Sequence, residues 1–322
     1  QYDGPSLHFL VTGATGFVGQ SLCTLLTRNG HKVTAVSRAE ISQTGVEKYI
    51  IKDWKDAEEW SSVLRNVDVV IHLAARVHVM NDKSVDPLSE FRDANLENTR
   101  VLASAVLKSE VKKFIFLSSI LVNGTSTGNM PYRPVDEPMP GDPYSISKLE
   151  TEIFLKSTFE KSPIDLVTIR PPLIYGPGCR GNFLRLLNLA RNLPIIPLGG
   201  FRNQRSMIFV ENLSDFIHKV AVSPSKANLY LVSDAKDLGL AELVEKLGTY
   251  MGSPGKVVFF PKGIIRFVMS ALSRNEEFHK VASDLVVDAS EARNDFQWLP
   301  PYTVEEGLKA TVDWHSSLRN RI

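Results

Sequence analysis

The stretch "GDPYSISKLETEIFLK", residues 141–156, opens as a turn and continues as a helix, with Tyr144 and Lys148 four residues apart at its start. On a helix that spacing puts both side chains on one face. A free phenol, with a pKa of about 10, is a poor base at neutral pH, and a neighbouring ammonium favours its ionised form. The pair is either an ordinary surface contact or a device for moving a proton at a substrate hydroxyl. Ser119 ends the apolar run "FIFLSS" and adds a hydroxyl at the carboxyl end of a predicted strand, where open α/β sheets bind their ligands. A Tyr-x-x-x-Lys pair alone arises often by chance. The set Ser119, Tyr144, Lys148 in that order is far more specific.

A second constellation lies upstream. "FLVTGATGFVGQSLCTLLTRNG" places Gly13, Gly16 and Gly19 where a predicted strand turns into a helix. Glycines there permit a tight turn and let backbone approach a pyrophosphate held at a helix N-terminus. The next strand ends in Ser37 and Arg38, where an acidic residue would accept from the ribose hydroxyls of NAD. A guanidinium can pair with a 2′-phosphate, so this strand end favours NADP over NAD; the plain alternative is a solvated arginine. Asp53, after the third strand, is placed either for an adenine edge or as the N-cap of the helix that follows.

Elements that could hold these groups are legible as alternating strands and helices. Strands are predicted over 7–13, 32–38, 48–53, 68–74, 113–119 and 165–171, with helices near 17–29, 56–65, 87–109 and 144–160. Continuous apolar strands such as "VVIHL" imply burial on both faces, as in a doubly wound parallel sheet. Beyond 171 the chain is rich in Pro and Gly and reads as loops, and helices resume at 182–192, 211–222, 239–251 and 303–317. "SMIFV" is strand-like, and the segment after it looks like a return to the sheet layer. The reading is a dinucleotide-binding half over 1–172 with parts of 205–235, interleaved with a smaller half over 173–322.

The 322 residues suffice for a large core, and 43% apolar with 23% charged residues is ordinary for a globular protein. A net charge of +1 provides no field to attract nucleic acid. Cys23 and Cys179 make no disulfide framework or metal-ligand spacing, which points to the cytosol and to no metal site. No signal peptide is visible. The apolar segment 257–272 is interrupted by Pro261, Lys262, Gly263 and Arg266, too often to span a bilayer. His72, inside an apolar strand, reads as a satisfied core or cofactor-edge histidine rather than a base, and His78, His218 and His315 show no ligand spacing. Trp54, Trp60, Trp298 and Trp314 read as packing residues.

Taken together, "TGATGFVG", "HLAA" (72–75), Asn95 in "DANLENT", "FLSS", "YSISK", "RPPLIYGPG" and "RSMIFVENL" resemble the extended short-chain dehydrogenase/reductase family of nucleotide-sugar epimerases, dehydratases and reductases. The resemblance implies a Rossmann domain with a smaller domain that holds a sugar nucleotide, and catalysis by Ser119, Tyr144 and Lys148. It also implies cofactor contacts at Gly13, Thr15, Gly16, Phe17, Val18, Gly19, Ser37, Arg38, Asp53, Leu73, Ala74, Ala75, Tyr144, Lys148 and Pro171. Asn123, Asn182 and Arg205 match positions that meet the substrate, Arg205 as the diphosphate contact; Arg274 is a weaker candidate. A homodimer through the helices near 87–109 and 144–160 is the family's usual assembly.

Hydride transfer at C4 of the sugar is what the resemblance implies, but its outcome is open. Dehydratases of the family carry an Asp-Glu pair where this chain has Ile120 and Leu121, which cannot move protons. Asn123 stands in place of a frequent Tyr, and Leu173 in place of a frequent Asn. The Ser37-Arg38 strand end tilts the reading to an NADPH-dependent reductase of a UDP-4-keto-6-deoxy-N-acetylhexosamine in surface-polysaccharide (lipopolysaccharide) biosynthesis. The alternatives are a UDP-glucose or UDP-N-acetylglucosamine 4-epimerase, a variant acting on a lipid-diphosphate-linked sugar, and, remotely, a non-catalytic NAD(P)-binding regulator.

Overall fold

Short apolar runs with residues suited to burial on both sides build a seven-stranded parallel sheet. Its strands are β1 (His8–Thr12), β2 (Lys32–Ser37), β3 (Glu47–Ile50), β4 (Val69–His72), β5 (Lys113–Leu117), β6 (Asp165–Arg170) and β10 (Leu229–Leu231). In space they run β10-β6-β5-β4-β1-β2-β3, and each neighbouring pair is parallel. The order reverses between β1 and β4, the point at which such a sheet opens a crevice at its carboxyl edge. The computed structural model describes residues 3–40, 42–76, 86–192, 195–200, 202–252, 256–259, 261 and 283–319. His78, Arg274 and most of the apolar segment 257–272 lie outside the described residues.

Alternation along the strands feeds two cores. Phe9, Val11, Ile115 and Ile169 pack on one face with Leu22 and Leu26 of α1 (Phe17–Arg28) and with Leu213, Phe216 and Val220 of α7 (Val210–Val222). Leu10, Val70, Phe114 and Phe116 pack on the other with Trp60 of α2 (Ala57–Val63), Leu102 of α4 (Asn98–Val106) and Leu155 of α5 (Pro143–Phe159). A third core joins Tyr175 of β7 (Leu173–Tyr175) and Phe183 of α6 (Gly181–Asn192) to Phe209 of β9 (Met207–Phe209). Leu243 of α8 (Leu240–Tyr250) and Leu308 of α10 (Val304–Arg319) complete it. β7 pairs in parallel with β9, and β8 (Ile195–Ile196) with β11 (Lys256–Val257). α9 (Ser290–Phe296) packs beside β10.

Several elements differ from expectation. The single helix expected near 87–109 is divided: α3 (Pro87–Phe91) leads into a π-helical segment, Arg92–Glu97, and then into α4. Within the Pro- and Gly-rich stretch read as loops, β7 forms, because Leu173, Ile174 and Tyr175 find a partner strand at 207–209. The cap of α2 is Asp56, whose carboxylate accepts from the amides of Glu58 and Glu59, not Asp53. Asp53 is exposed, and its Oδ1 accepts from the Lys55 amide at 2.9 Å in the turn just before. No helix among the described residues is long and apolar enough to cross a membrane.

Candidate active site

Strand ends β1 and β4 meet at the point where the sheet order reverses. Gly13 has φ +70°, and a Cβ there would lie 2.7 Å from the Ala74 amide nitrogen, so β1's exit and the 73–75 stretch approach more closely than any side chain permits. A Cβ on Gly19 would stand 2.3 Å from the Gly13 carbonyl oxygen, which is why α1 can pack so close to the turn. Gly16 occupies the N-cap of α1 in an extended conformation and places no side-chain cap on the helix. The first-turn amides, around Phe17 and Val18, are therefore left for an external acceptor at the positive end of the helix dipole. Close backbone approach and an uncapped N-terminus suit a dinucleotide pyrophosphate.

The neighbouring groups are ordered. Thr15 and Ser37 hydroxyls are 3.2 Å apart, and Ser37 Oγ accepts from the Ala39 amide. Arg38 is exposed at the end of β2. Thr12 Oγ1 accepts from the Ala74 amide at 3.2 Å and lies 2.7 Å from His72 Nδ1, while His72 Nε2 lies 2.8 Å from Thr99 Oγ1. Burial first, and the charge of Lys148 second, drive His72 down to about 3. His72 is a satisfied core histidine. Asn95, in the π segment, accepts from the Arg76 amide at 2.7 Å and donates to Ser147 Oγ at 3.0 Å, joining the exit of β4 to α5.

α5 is launched by a reciprocal cap: Asp142 accepts from the Ser145 amide at 2.8 Å, Ser145 Oγ accepts from the Asp142 amide, and Pro143 fills the first helical position. Tyr144 is half-buried and edge-on to Phe91, with the Ser119 hydroxyl near enough to oppose the rise in its pKa. Ser119 in turn caps the 3-10 turn Ile120–Val122, its Oγ accepting from the Leu121 amide at 3.2 Å. Lys148 is buried; its Nζ donates to the Leu117 carbonyl oxygen at 2.9 Å and sits 4.5 Å from the centre of the Phe116 ring. Pro171 is buried beside this turn, its carbonyl accepting from the Ile120 amide at 3.0 Å.

The electrostatics depart from the expectation that Lys148 pulls the phenol down. Burial raises Tyr144 to about 12, the Asp142 charge adds to that, and the Ser119 hydroxyl opposes it. Burial also lowers Lys148 to about 7, with Glu152 opposing. Desolvation dominates at both groups, so in the chain by itself the phenol keeps its proton and the amine is poised to lose one.

The three positions matched to substrate are spread over the fold. Asn123 closes the 3-10 turn and is buried, its Oδ1 accepting from Arg170 Nη1 at 2.9 Å. Asn182 is exposed in the first turn of α6. Arg205 is half-buried on a short antiparallel bridge to Leu238, with Nη1 donating to the Ser283 carbonyl at 3.1 Å. Residues not singled out in the sequence also stand here: Arg170 is held by Glu152 through two bonds, 2.9 and 2.5 Å. Glu152 continues the Tyr144, Lys148 spacing by four more residues, the one signal that pointed to it. A cleft of about 670 Å³ runs along α1 from the glycine turn, lined by Thr15, Phe17, Arg28, Arg180, Glu211 and Tyr302 among others, and does not include Ser119, Tyr144 or Lys148. Among the described residues no three His, Cys, Asp or Glu side chains converge as for a metal.

Comparison with known proteins agrees with this geometry. The model of the NAD dependent epimerase/dehydratase family matches residues 9–232. A UDP-glucose 4-epimerase of Vibrio cholerae is 34% identical over 316 residues, covering 97% of this chain and 96% of its own. An N-acetyl-alpha-D-glucosaminyl-diphospho-ditrans,octacis-undecaprenol 4-epimerase of Escherichia coli O157:H7 is 28% identical, covering 95% of this chain and 94% of its own. The solved UDP-glucose 4-epimerase of Thermotoga maritima, with UDP-glucose, superposes with a TM-score of 0.78 at 23% identity, covering 97% of this chain and 100% of its own, a likeness of fold. With more than half of its length matched and the glycine turn and helix α5 inside the matched span, this chain belongs to the NAD dependent epimerase/dehydratase family.

Proposed function

We propose that the protein is a UDP-sugar 4-epimerase that uses NAD, with Tyr144 as its acid–base group. The observation that carries the reading is the meeting of Ser119, Tyr144 and buried Lys148 at the carboxyl end of β5, Lys148 Nζ bonded to the Leu117 carbonyl. The 34% identity with the Vibrio cholerae UDP-glucose 4-epimerase over nearly all of both chains supports it. In this reading Gly13, Thr15, Gly16, Phe17, Val18 and Gly19 hold the pyrophosphate, Ser37, Arg38 and Asp53 the adenosine, and Leu73, Ala74, Ala75 and Pro171 flank the nicotinamide half. The bound cofactor supplies reversible hydride acceptance at C4. Tyr144 takes the proton from the C4 hydroxyl and gives it back once the ketose has turned over. Ser119 orients that hydroxyl, and Lys148, when charged, favours the phenolate. Asn182 and Arg205 take the nucleotide diphosphate, a guanidinium matching phosphate oxygens. Ile120 and Leu121 carry no proton-transfer group, which argues against a 4,6-dehydratase.

The division into a cofactor half (1–172 with parts of 205–235) and a substrate half (173–322), a cytosolic location and a homodimer belong to the same proposal. Ile153, 60% exposed on the outer face of α5, supports the last.

A second reading is favoured by one observation. Ser37 and exposed Arg38 end β2, which suits NADPH and a single reduction of a 4-keto sugar. Retained cofactor separates the two. Protein purified, denatured and assayed for nucleotide should release stoichiometric NAD if it is the epimerase, and should interconvert UDP-glucose and UDP-galactose, or the N-acetylated pair, without added cofactor. Exchangeable binding with NADPH strongly preferred, and no interconversion, overturns the epimerase. Activity confined to a lipid-diphosphate-linked sugar, as the name of the Escherichia coli relative describes, overturns the UDP-sugar assignment alone.

A further inference from the structure

Three buried side chains, Glu152, Arg170 and Asn123, link the helix of the candidate catalytic pair to the turn that Ser119 begins. Tyr144 and Glu152 stand on α5 eight residues apart, with Lys148 midway between them. Glu152 grips Arg170 at the end of β6 through two bonds. Arg170 Nη1 reaches across to Asn123 Oδ1 at 2.9 Å. Asn123 ends the three-residue turn that Ser119 begins, and the Ser119 hydroxyl lies beside the Tyr144 phenol. Arg170, Asn123 and Glu152 are 2%, 1% and 8% exposed, so none of these bonds competes with bulk water.

We propose that Asn123, held by Arg170, is a positioning residue that fixes the Ser119 turn against the Tyr144 phenol, rather than a contact to the sugar. A turn of three residues has little stiffness of its own. Its start is tied to β6 by the Ile120 amide on the Pro171 carbonyl, and its end is tied by the Asn123 side chain to the guanidinium that α5 already holds. Strand end, turn and helix therefore move as one body. A bidentate carboxylate–guanidinium pair has a fixed planar geometry, which makes it a rigid anchor. The inward turn of the Asn123 amide also leaves that side chain facing Arg170, with Nδ2 3.5 Å from the Arg133 carbonyl.

The inference rests on the proposed 4-epimerase reading only for its kinetic arm, and a structural arm stands without it. Asn123→Leu removes the acceptor while Glu152 still pairs Arg170; Asn123→Asp keeps shape and acceptor. Crystal structures of wild type and both variants should show the turn after Ser119 in the same place beside Tyr144 in wild type and Asn123→Asp, and shifted away from it in Asn123→Leu. On the UDP-sugar that wild type interconverts, Asn123→Leu should lose at least tenfold in kcat with KM within about twofold, since a misplacement of about 1 Å can cost as much. Asn123→Asp should recover most of that loss. A raised KM with kcat kept assigns Asn123 to the sugar and overturns the proposal, as does a Leu variant whose Ser119 turn keeps its wild-type place beside Tyr144. If Asn123→Leu is not recovered folded, Asn123→Ala serves in its place. Failure of both to fold assigns the residue to stability alone and also overturns the proposal. If wild type interconverts no UDP-sugar, the functional reading falls while the crystal comparison still decides the clamp.

Discussion

Lys148 Nζ donates to the carbonyl oxygen of Leu117 at 2.9 Å, so the buried amine of α5 is tied to the last residue of β5, two residues before Ser119. The bond offers a carbonyl dipole but no counter-charge, and burial lowers the amine to about 7. An unfolded lysine keeps its proton to about 10.4. Between pH 7 and that value the unfolded chain binds more protons at this site, so stability rises with pH. Lys148→Met, which keeps the stem over Phe116, should flatten the rise in urea midpoint between pH 7 and 9; an unchanged slope would sink the assignment of the shift to this residue.

Histidines set the opposite limit. His72 is held to about 3 and His218, whose Nε2 lies 2.9 Å from that of His31, to about 4, both mainly by burial. Unfolded, each would take up a proton near pH 6.5. Unfolding therefore consumes protons as pH falls below 6.5, and stability should drop by roughly 1–2 kcal/mol per histidine by pH 5. Equal urea midpoints at pH 7 and pH 5 would contradict this.

Tyr144→Phe keeps the ring and its edge contact with Phe91 but removes the proton donor. Turnover should fall by about 10²–10⁴, the usual contribution of a positioned acid–base group. Calorimetric NAD affinity should stay within about twofold. A variant with wild-type rate refutes the acid–base role.

At the glycine turn, Gly13→Ala must fit a Cβ 2.7 Å from the Ala74 nitrogen at φ +70°, and Gly19→Ala one 2.3 Å from the Gly13 oxygen. Both neighbours are backbone and cannot swing aside. Each change should weaken NAD binding at least tenfold. Gly30→Ala, also at positive φ but with open space around it, should cost only about 1–2 kcal/mol of stability and leave NAD affinity unchanged.

The Glu152–Arg170 pair is buried at both ends. Glu152→Leu leaves a lone guanidinium in the interior and should lower stability by about 3–5 kcal/mol, whereas the double change with Arg170→Met should recover most of it. Thermal unfolding of the three proteins checks the sign.

Five strands of the sheet were legible because burial on both faces makes them largely apolar runs, "HFLVT" and "VVIH" being the clearest, while β3, "EKYI", was legible although it is mostly exposed. β7 and β10 were not, because each is three residues long and is stabilised by a partner distant in sequence. Spacing drew attention to Tyr144 and Lys148 and put them on one face, but it carries no information on desolvation, which reverses the direction expected for the phenol. Asn123 shows the same limit. Its identity stood out in the sequence, yet which way its amide faces depends on Arg170, 47 residues later.

The π-helical segment between α3 and α4 has a consequence for how this stretch could vary. Such a segment amounts to one residue inserted into an α-helix, and each residue of an α-helix advances the face by about 100°. Everything after Glu97 is thus turned by that angle relative to a continuous helix from Pro87. The offset is what lets Asn95 meet Ser147 while Thr99, one turn later, meets His72. Deleting one residue from 92–97 would preserve helicity and even ease the local geometry, yet it would rotate one of those two contacts away from its partner. The extra residue works as a phase setting between this helix, α5 and the end of β4.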